Sequence, residues 1–402
     1  MSEWKEYKLD EIADIYNNKR IPLSSIVRSK RQGKYPYYGA SGIVDYIDDY
    51  IFDGDYILIS EDGENLRSRK TPIAFRAQGK FWVNNHAHII QGKDKFLNNW
   101  ISYFFKNLNI SPYLTGAVQP KLNKENLLRI PIPIPDFESA SIITEILSSL
   151  DDKIELNNNI NKELEKLAQT LFKQWFIDFE FPNENGEPYQ SSGDEMVESE
   201  LGMIPKNWEV RKLSALIRLT GGGTPKRSNA EYWDGKIKWF SIQDIPNDSQ
   251  VFVVDTKEKI TELGLNKSST KLLPRGTTII TARGTVGKLA LVAEPMAMNQ
   301  SCYGVNGASG LGEFYTYFNL KNAVEKLRQN VHGAVFDTIT SNTFDTIKSI
   351  YGNNDLANLF EEIVRPMMEQ IENHCRENQE LSNLRDTLLP KLISGELNVK
   401  DL

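Results

Sequence analysis

The sequence predicts an α/β protein. Two mixed α/β globular domains are separated by two long antiparallel coiled-coil helices, the whole an internal tandem repeat with pseudo-two-fold symmetry. Three observations predict it. Between Asp136 and Phe179, residues Ile143, Leu147, Leu150, Ile154, Asn157, Asn161, Leu164, Ala168, Leu171 and Trp175 alternate in steps of four and three. That is the seam of a coiled-coil helix, roughly 50 Å long at 1.5 Å per residue. A shift of 217 residues gives a second seam: Phe360, Val364, Met367, Ile371, His374, Asn378, Leu381, Arg385, Leu388 and Leu392. Both seams turn polar at their midpoints, and each follows a stretch of short strand-like runs set off by turn residues.

Residues 1–135 form the first predicted domain. Trp4 to Ile15 is a short amphipathic element, and Ser41–Ile47 and Asp55–Ser60 are strands separated by an Asp53-Gly54 turn. Lys80–Val83 and Ala87–Ile90 are further strands, and Asn98–Lys106 is helical. The run Ile130-Pro131-Ile132-Pro133-Ile134-Pro135 is extended, because each proline excludes the helical region for the residue before it. Asp136 then caps the central helix, assigned to 136–182. Residues 183–207, rich in turn formers and acids, are an ordered linker. The second domain, 208–352, opens with Trp208 and Leu213, spaced as Trp4 and Leu9 are. Gly276–Thr281 matches the strand at Gly54–Ser60, Met298-Asn299-Gln300-Ser301 matches Asn84-Asn85-His86-Ala87, and Gly333-Ala334-Val335 matches Gly116-Ala117-Val118. Asn353 takes the capping place of Asp136 at the start of the terminal helix, 353–402. The chain is a duplication. A two-fold axis through the middle of the helix pair makes the helices antiparallel and sets Asn157 and Asn161 against His374 and Asn378. A buried polar seam position costs stability and fixes register.

Composition is that of an ordinary globular chain. No run of apolar residues is long enough for a membrane span and no charged-then-apolar leader is present, so the expected location is the cytoplasm. Cys302 and Cys375 are expected as free thiols. The net charge of −7 conceals a division. Residues 1–135 carry 19 Lys+Arg against 15 Asp+Glu and residues 208–352 carry 18 against 13, whereas 136–207 carry 5 against 16 and 353–402 carry 5 against 10. A polyanion is drawn to the globular parts and held off the helices.

No catalytic engine emerges. Gly221–Lys226 and Gly284–Lys288 lack P-loop spacing, no dinucleotide or S-adenosylmethionine fingerprint follows a strand, and His86, His88, His332 and His374 lack metal-ligand spacing. Asp136, Asp151, Asp152 and Lys153 match a metal-dependent nuclease core by residue type. Such groups must converge on one ion, whereas these lie along one helix over about four turns. What recurs is DNA-contact chemistry. The first domain has Arg28, Lys30, Arg31, Lys34, Arg67, Arg69, Lys70 and Arg76. The second has Lys226, Arg227, Lys236, Lys238, Gln243, Arg275, Arg283 and Lys288, with Trp233 and Trp239 interleaved. Lys and Arg anchor phosphates, and Arg and Gln also read base edges.

These features carry a family resemblance over nearly the full length. The segments Leu171-Phe172-Lys173-Gln174-Trp175-Phe176-Ile177-Asp178-Phe179, Ser192–Val197, Leu201–Pro205 and Leu388–Leu397 resemble the specificity subunit of type I restriction-modification systems. Tyr35–Gly42 and Thr281–Gly287 resemble its target-recognition domains. Asp194 stands where a second glycine is common. Pro366 is expected to kink the terminal helix or delay its start, and Pro390 to break its last turn.

The resemblance implies two target-recognition domains, each reading half of a split, asymmetric DNA site. It implies two methyltransferase subunits, which hold the S-adenosylmethionine, and restriction-translocase subunits for cleavage, with no active site or cofactor in this chain. Adenine methylation or restriction is then directed by this chain and performed by partners. The apolar helix end, Trp175 and Phe176, is expected to dock a partner, and the helix to act as a ruler between half-sites. The rival reading is a stand-alone DNA-binding or antirestriction-like protein without methyltransferase partners.

Overall fold

The computed structural model describes residues 4–246, 250–330 and 338–399; His332 and the Gly333-Ala334-Val335 match lie outside the described residues. The chain divides into two compact units, Met1–Asp152 with Leu381–Leu402, and Lys153–Glu380. The division falls within both long helices rather than at their ends, because each unit completes its core with a segment of each helix.

In the first unit a six-stranded sheet runs in the order Ala13–Ile15, Ala87–Gly92, Phe52–Ser60, Ala74–Val83, Gln32–Gly39, Gly42–Ile47. The helix Lys95–Asn107 buries Leu97, Trp100, Ile101, Phe104 and Phe105 with Ile57, Ile59 and Ile90 of the sheet. Ala140, Ile143 and Leu147 of one long helix and Leu389, Leu392 and Ile393 of the other complete that core. Two expectations are corrected here. Asp53-Gly54 is no turn: it lies inside the strand Phe52–Ser60, where Gly54 faces Gly79 and both adopt the positive φ that glycine permits. Trp4–Ile15 is a strand (Lys5–Tyr7), one helical turn (Leu9–Ile12) and a second strand (Ala13–Ile15). The proline run is extended as predicted, and Ile132–Ile134 pairs with Lys5–Tyr7.

The second unit repeats this plan. Glu209–Lys212 pairs with Lys348–Tyr351 immediately before the second long helix, as Lys5–Tyr7 pairs with Ile132–Ile134 before the first. A five-stranded sheet (Ile217–Gly221, Cys302–Gly307, Thr278–Thr281, Leu289–Val292, Phe252–Val253) lies beside a three-stranded one (Glu258–Ile260, Trp233–Phe240, Ala297–Met298). The helix Glu313–Asn330 packs Phe314, Phe318 and Leu320 against Phe172, Phe176, Phe360 and Val364 of the long helices. Its first turn is capped from outside, because Glu361 accepts hydrogen bonds from the amides of Phe314 and Tyr315 at 3.0 and 2.9 Å. The predicted linker contains a hairpin, Met196–Ser199 with Gly202–Pro205, and Phe181 stacks between Tyr189 and Trp208.

The long helices span Phe137–Phe176 and Asn354–Ser394, their first residues 217 apart. Asp136 Oδ1 accepts from the Ser139 amide and Asn353 Oδ1 from the Leu356 amide, so both predicted caps form. The seam is the buried or half-buried face along both helices, and contacts between them run in opposite directions along the sequence. Within the first unit Arg385 binds Asp151 at 2.5 Å; within the second Asn378 meets Asn157 and His374 meets Asn161, each at 2.8 Å. Pro366 neither delays nor ends the terminal helix, and helix continues through Pro390. Pro366 sits on the exposed face, while Val364 and Met368 on either side are buried, so the hydrogen bond a proline cannot donate is lost on the solvent side of the helix.

Candidate nucleic-acid interface

Both units build loops at the end of the same strand arrangement, and the same two backbone bonds frame them. In the first unit, Tyr38 pairs in parallel with Val83, the Asn84 amide donates to Tyr38 O at 3.0 Å, and the Glu61 amide donates to His86 O at 2.9 Å. In the second, Phe240 pairs in parallel with Met298, the Asn299 amide donates to Phe240 O at 2.9 Å, and the Ala282 amide donates to Ser301 O at 2.7 Å. Tyr38 thus corresponds to Phe240, Asn84 to Asn299, Glu61 to Ala282 and His86 to Ser301. One residue on, Asp62 corresponds to Arg283, and the glycines that follow, Gly63 and Gly284, both have positive φ.

The first unit's loops are knit by charge. Glu61 binds Arg20 at 2.6 Å and Lys121 at 3.4 Å; burial tends to raise its pKa, but these two cations outweigh it and hold the carboxyl below its usual range. His88 is fully buried, with Nε2 against Leu122 O at 2.7 Å and Nδ1 against the Asn17 amide at 2.8 Å. Burial lowers its pKa, and a neutral ring that donates from Nε2 and accepts at Nδ1 satisfies both contacts. His88 is scaffold. Its neighbour His86 is exposed, with Nδ1 against the two oxygens of Asp62 at 3.0 and 2.9 Å and its amide bonded to Asn84 Oδ1.

In the second unit Gly221-Gly222-Gly223 serves close approach rather than phosphate binding. A Cβ on Gly222 would lie 1.8 Å from Asn299 O, and one on Gly223 would lie 2.3 Å from the Thr270 amide. The run brings Thr224 Oγ1 onto Gln300 Oε1. Gly284 sits against Ile242, a Cβ there being 3.0 Å from its Cδ1, which draws Gln243 beside the Arg283 loop. Thr224, Gln243, Arg283 and Gln300 therefore share one end of the unit. Gln243 and Arg283 are exposed, and their side chains make no hydrogen bond or ion pair among the described residues.

The predicted contact residues separate into two groups. Lys30, Lys70, Lys226 and Lys236 are exposed and without ion pairs among the described residues, and Lys34 is exposed beside the Tyr35 ring. Lys288 lines a cavity of about 280 Å³ with Tyr317 and Glu165. Arg28 binds Asp45, Arg31 binds Asp48 and lies over Trp82, Arg67 donates to Gly116 O and Ala117 O, and Arg227 binds Glu258 over the Trp233 ring.

In four further candidates internal acceptors also occupy the cation. Arg69 closes the end of the helix Lys95–Asn107 through Phe105 O and Leu108 O, and Arg76 grips both Asp55 oxygens at 2.7 Å. Lys238 binds Glu294 and Val254 O, its pKa lowered by burial, and Arg275 ties Glu372 of the terminal helix at 2.5 Å. Trp175 and Phe176 are corrected. They form no docking surface but lie in the second unit's core against Phe360, with Phe176 edge-on to Tyr315.

Asp62, His86, Thr224 and Gln300 were not singled out from the sequence. The signal was the repeat itself, although the predicted match of Asn84–Ala87 with Met298–Ser301 is one residue out of register: the backbone sets Val83 with Met298, Asn84 with Asn299 and His86 with Ser301. The nuclease alternative has no geometry: Asp136 is a cap, Asp151 is bound by Arg385, Tyr103 and Lys106, and no cluster suited to a metal occurs among the described residues.

A duplicated α/β unit with unlike polar loops on one frame defines a two-headed recognition protein. The profile described as the type I restriction modification DNA specificity domain matches residues 1–166 and 205–350, and the chain belongs to that family. It is 26% identical over 475 residues to the type I restriction enzyme HindI specificity subunit of Haemophilus influenzae, covering 99% of this chain and 100% of that one. It is 26% identical over 423 residues to the MjaIX specificity subunit of Methanocaldococcus jannaschii, covering 100% and 95%. In fold it is similar to the crystal structure of a type I restriction-modification S subunit from M. genitalium, with a TM-score of 0.59 at 16% identity, covering 97% of this chain and 96% of that one.

Proposed function

We propose that the chain reads a bipartite, asymmetric duplex site, one half per unit, and directs adenine methylation or restriction that partner subunits perform. The observation that carries this reading is the repeated loop frame, bearing Asp62 and His86 in one unit and Arg283 and Ser301 at the equivalent positions of the other. A shared scaffold with opposite charge at an equivalent position serves two unlike half-sites, since base edges differ in donors and acceptors. The S-adenosylmethionine belongs, in this reading, to the methyltransferase subunits.

The helices offer those subunits a docking surface other than Trp175 and Phe176. Exposed apolar residues recur at the repeat spacing, Ile142 with Leu359 and Leu167 with Leu384. Each unit carries one residue of each pair, so the surface occurs twice, which fits two copies of one partner. Co-expression with methyltransferase subunits, followed by mapping of methylated adenines, tests the reading. A complex that marks one split motif supports it. A chain that binds DNA alone and never associates with a methyltransferase would replace it with the stand-alone reading.

A further inference from the structure

The two recognition loops differ most at one place. Asp62 and Arg283 each follow the residue whose amide closes the frame, and each precedes a glycine in the left-handed region. Arg283 is exposed, and its guanidinium makes no hydrogen bond or ion pair among the described residues. Elsewhere in the second unit Arg227, Arg275 and Arg376 are engaged by carboxylates. An arginine left open on this loop, beside Gln243 and in the unit that carries Thr224 and Gln300, retains its planar fork of donors for an external acceptor. In the first unit the same position carries a carboxylate held against the His86 ring, and each Asp62 oxygen keeps a lone pair beyond that contact.

We propose that this position selects one base in each half-site. Arg283 donates two parallel hydrogen bonds to O6 and N7 of a guanine, and Asp62 accepts from the N4 amino group of a cytosine. Both half-sites then contain a required G·C pair at this register, with guanine toward the second unit and cytosine toward the first. His86 orients Asp62. The inference rests on the bipartite-reading function and deepens it.

The test uses the full chain in complex with its methyltransferase subunits and maps methylated sites on genomic DNA for the natural chain, Arg283→Ala and Asp62→Asn. Arg283→Ala is expected to tolerate other bases at one G·C pair of one half-site, discrimination there falling about tenfold or more, the contribution of one bidentate contact. The other half-site is unchanged. Asp62→Asn is expected to relax one G·C pair of the opposite half-site and to leave Arg283's position strict. Arg283 has no internal partner to lose, and Asn keeps the shape of Asp62, so unchanged melting curves confirm that both variants fold. Uniform weakening at every site would make Arg283 a phosphate anchor and overturn the inference, as would relaxation at an A·T pair or in both half-sites. An unrelaxed motif in Arg283→Ala, with the natural chain still specific, defeats this inference alone. A natural complex with no split motif defeats the functional reading as well.

Discussion

The Asn157 side-chain amide donates to Asn378 Oδ1 at 2.8 Å across the helix pair, and both side chains are buried. Asn157 also donates to Glu377 at 2.7 Å, and Asn378 donates to Asn158 at 3.0 Å, yet Asn157 Oδ1 and Asn161 Nδ2 have no partner. The layer is polar, incompletely satisfied and placed in an otherwise apolar seam, the combination that costs stability and rejects other registers.

Replacing Asn157 alone by Leu strands Asn378 in the seam and is expected to lower stability by about 1–3 kcal/mol. Replacing both Asn157 and Asn378 by Leu removes the polar pair and is expected to bring stability back to the natural value or above it. Urea unfolding of the three chains checks this. A double variant less stable than the single one would show that the polar layer stabilises rather than specifies.

The seam was legible because a heptad pattern depends only on side-chain polarity at fixed spacing, and both caps follow from Asp136 and Asn353 standing just before it. The repeat was legible for the same reason. Ion-pair partners were not. Arg76 and Arg283 look alike in sequence, and only the strand pairing that sets Arg76 opposite Ile57, two residues from Asp55, shows that one is occupied and the other open. Trp175 and Phe176 were read as surface because helix periodicity identifies one buried face, whereas this helix end is enclosed on two sides, by Phe360 and by Tyr315. Asp62 was passed over because an acidic residue counts against DNA contact until its equivalence with Arg283 is seen.

Asp151 links the first unit's helix segments to its core through Arg385 at 2.5 Å and Tyr103 at 2.8 Å. Burial raises its pKa, but Lys106, Arg385 and the Tyr103 hydroxyl outweigh burial and hold the folded value below the usual carboxylate range. A depressed folded value means that the stabilisation is complete above the unfolded pKa, near 4, and is lost as pH falls through the folded one. Asp151→Asn is therefore expected to be less stable at neutral pH, with the gap closing as the pH drops below about 4. Melting temperatures from pH 7 to pH 2.5 measure it, and a gap independent of pH would assign the effect to packing alone.

Docking and core roles on the helices separate cleanly by mutation. Trp175 is 7% exposed in an aromatic cluster, and Trp175→Ala is expected to cost about 3–5 kcal/mol of stability. Leu167 is 52% exposed and Leu384 48%, so Leu167→Ser with Leu384→Ser is expected to change stability by no more than about 0.5 kcal/mol for each site. The same double variant is expected to lose most of its binding to methyltransferase subunits, read by analytical size-exclusion chromatography. Full complex formation by that variant would move the docking surface elsewhere.

The open lysines and Arg283 act differently on DNA. Lys226 and Lys236 are exposed and unpaired among the described residues, and an ammonium on a flexible stem neutralises a phosphate without reading a base. Replacing either by Ala removes one phosphate contact and releases one fewer counterion, so the slope of log K against log salt is expected to become shallower by about 1 unit. Binding should weaken equally on specific and unrelated duplexes, leaving the methylated motif intact. Arg283→Ala should do the reverse, with a larger loss on the specific duplex and a relaxed base. Fluorescence anisotropy across a salt series, on one specific and one scrambled duplex, distinguishes them. A lysine variant that changed the motif would mean that the reading surface extends from the Arg283 loop to the strand Trp233–Phe240.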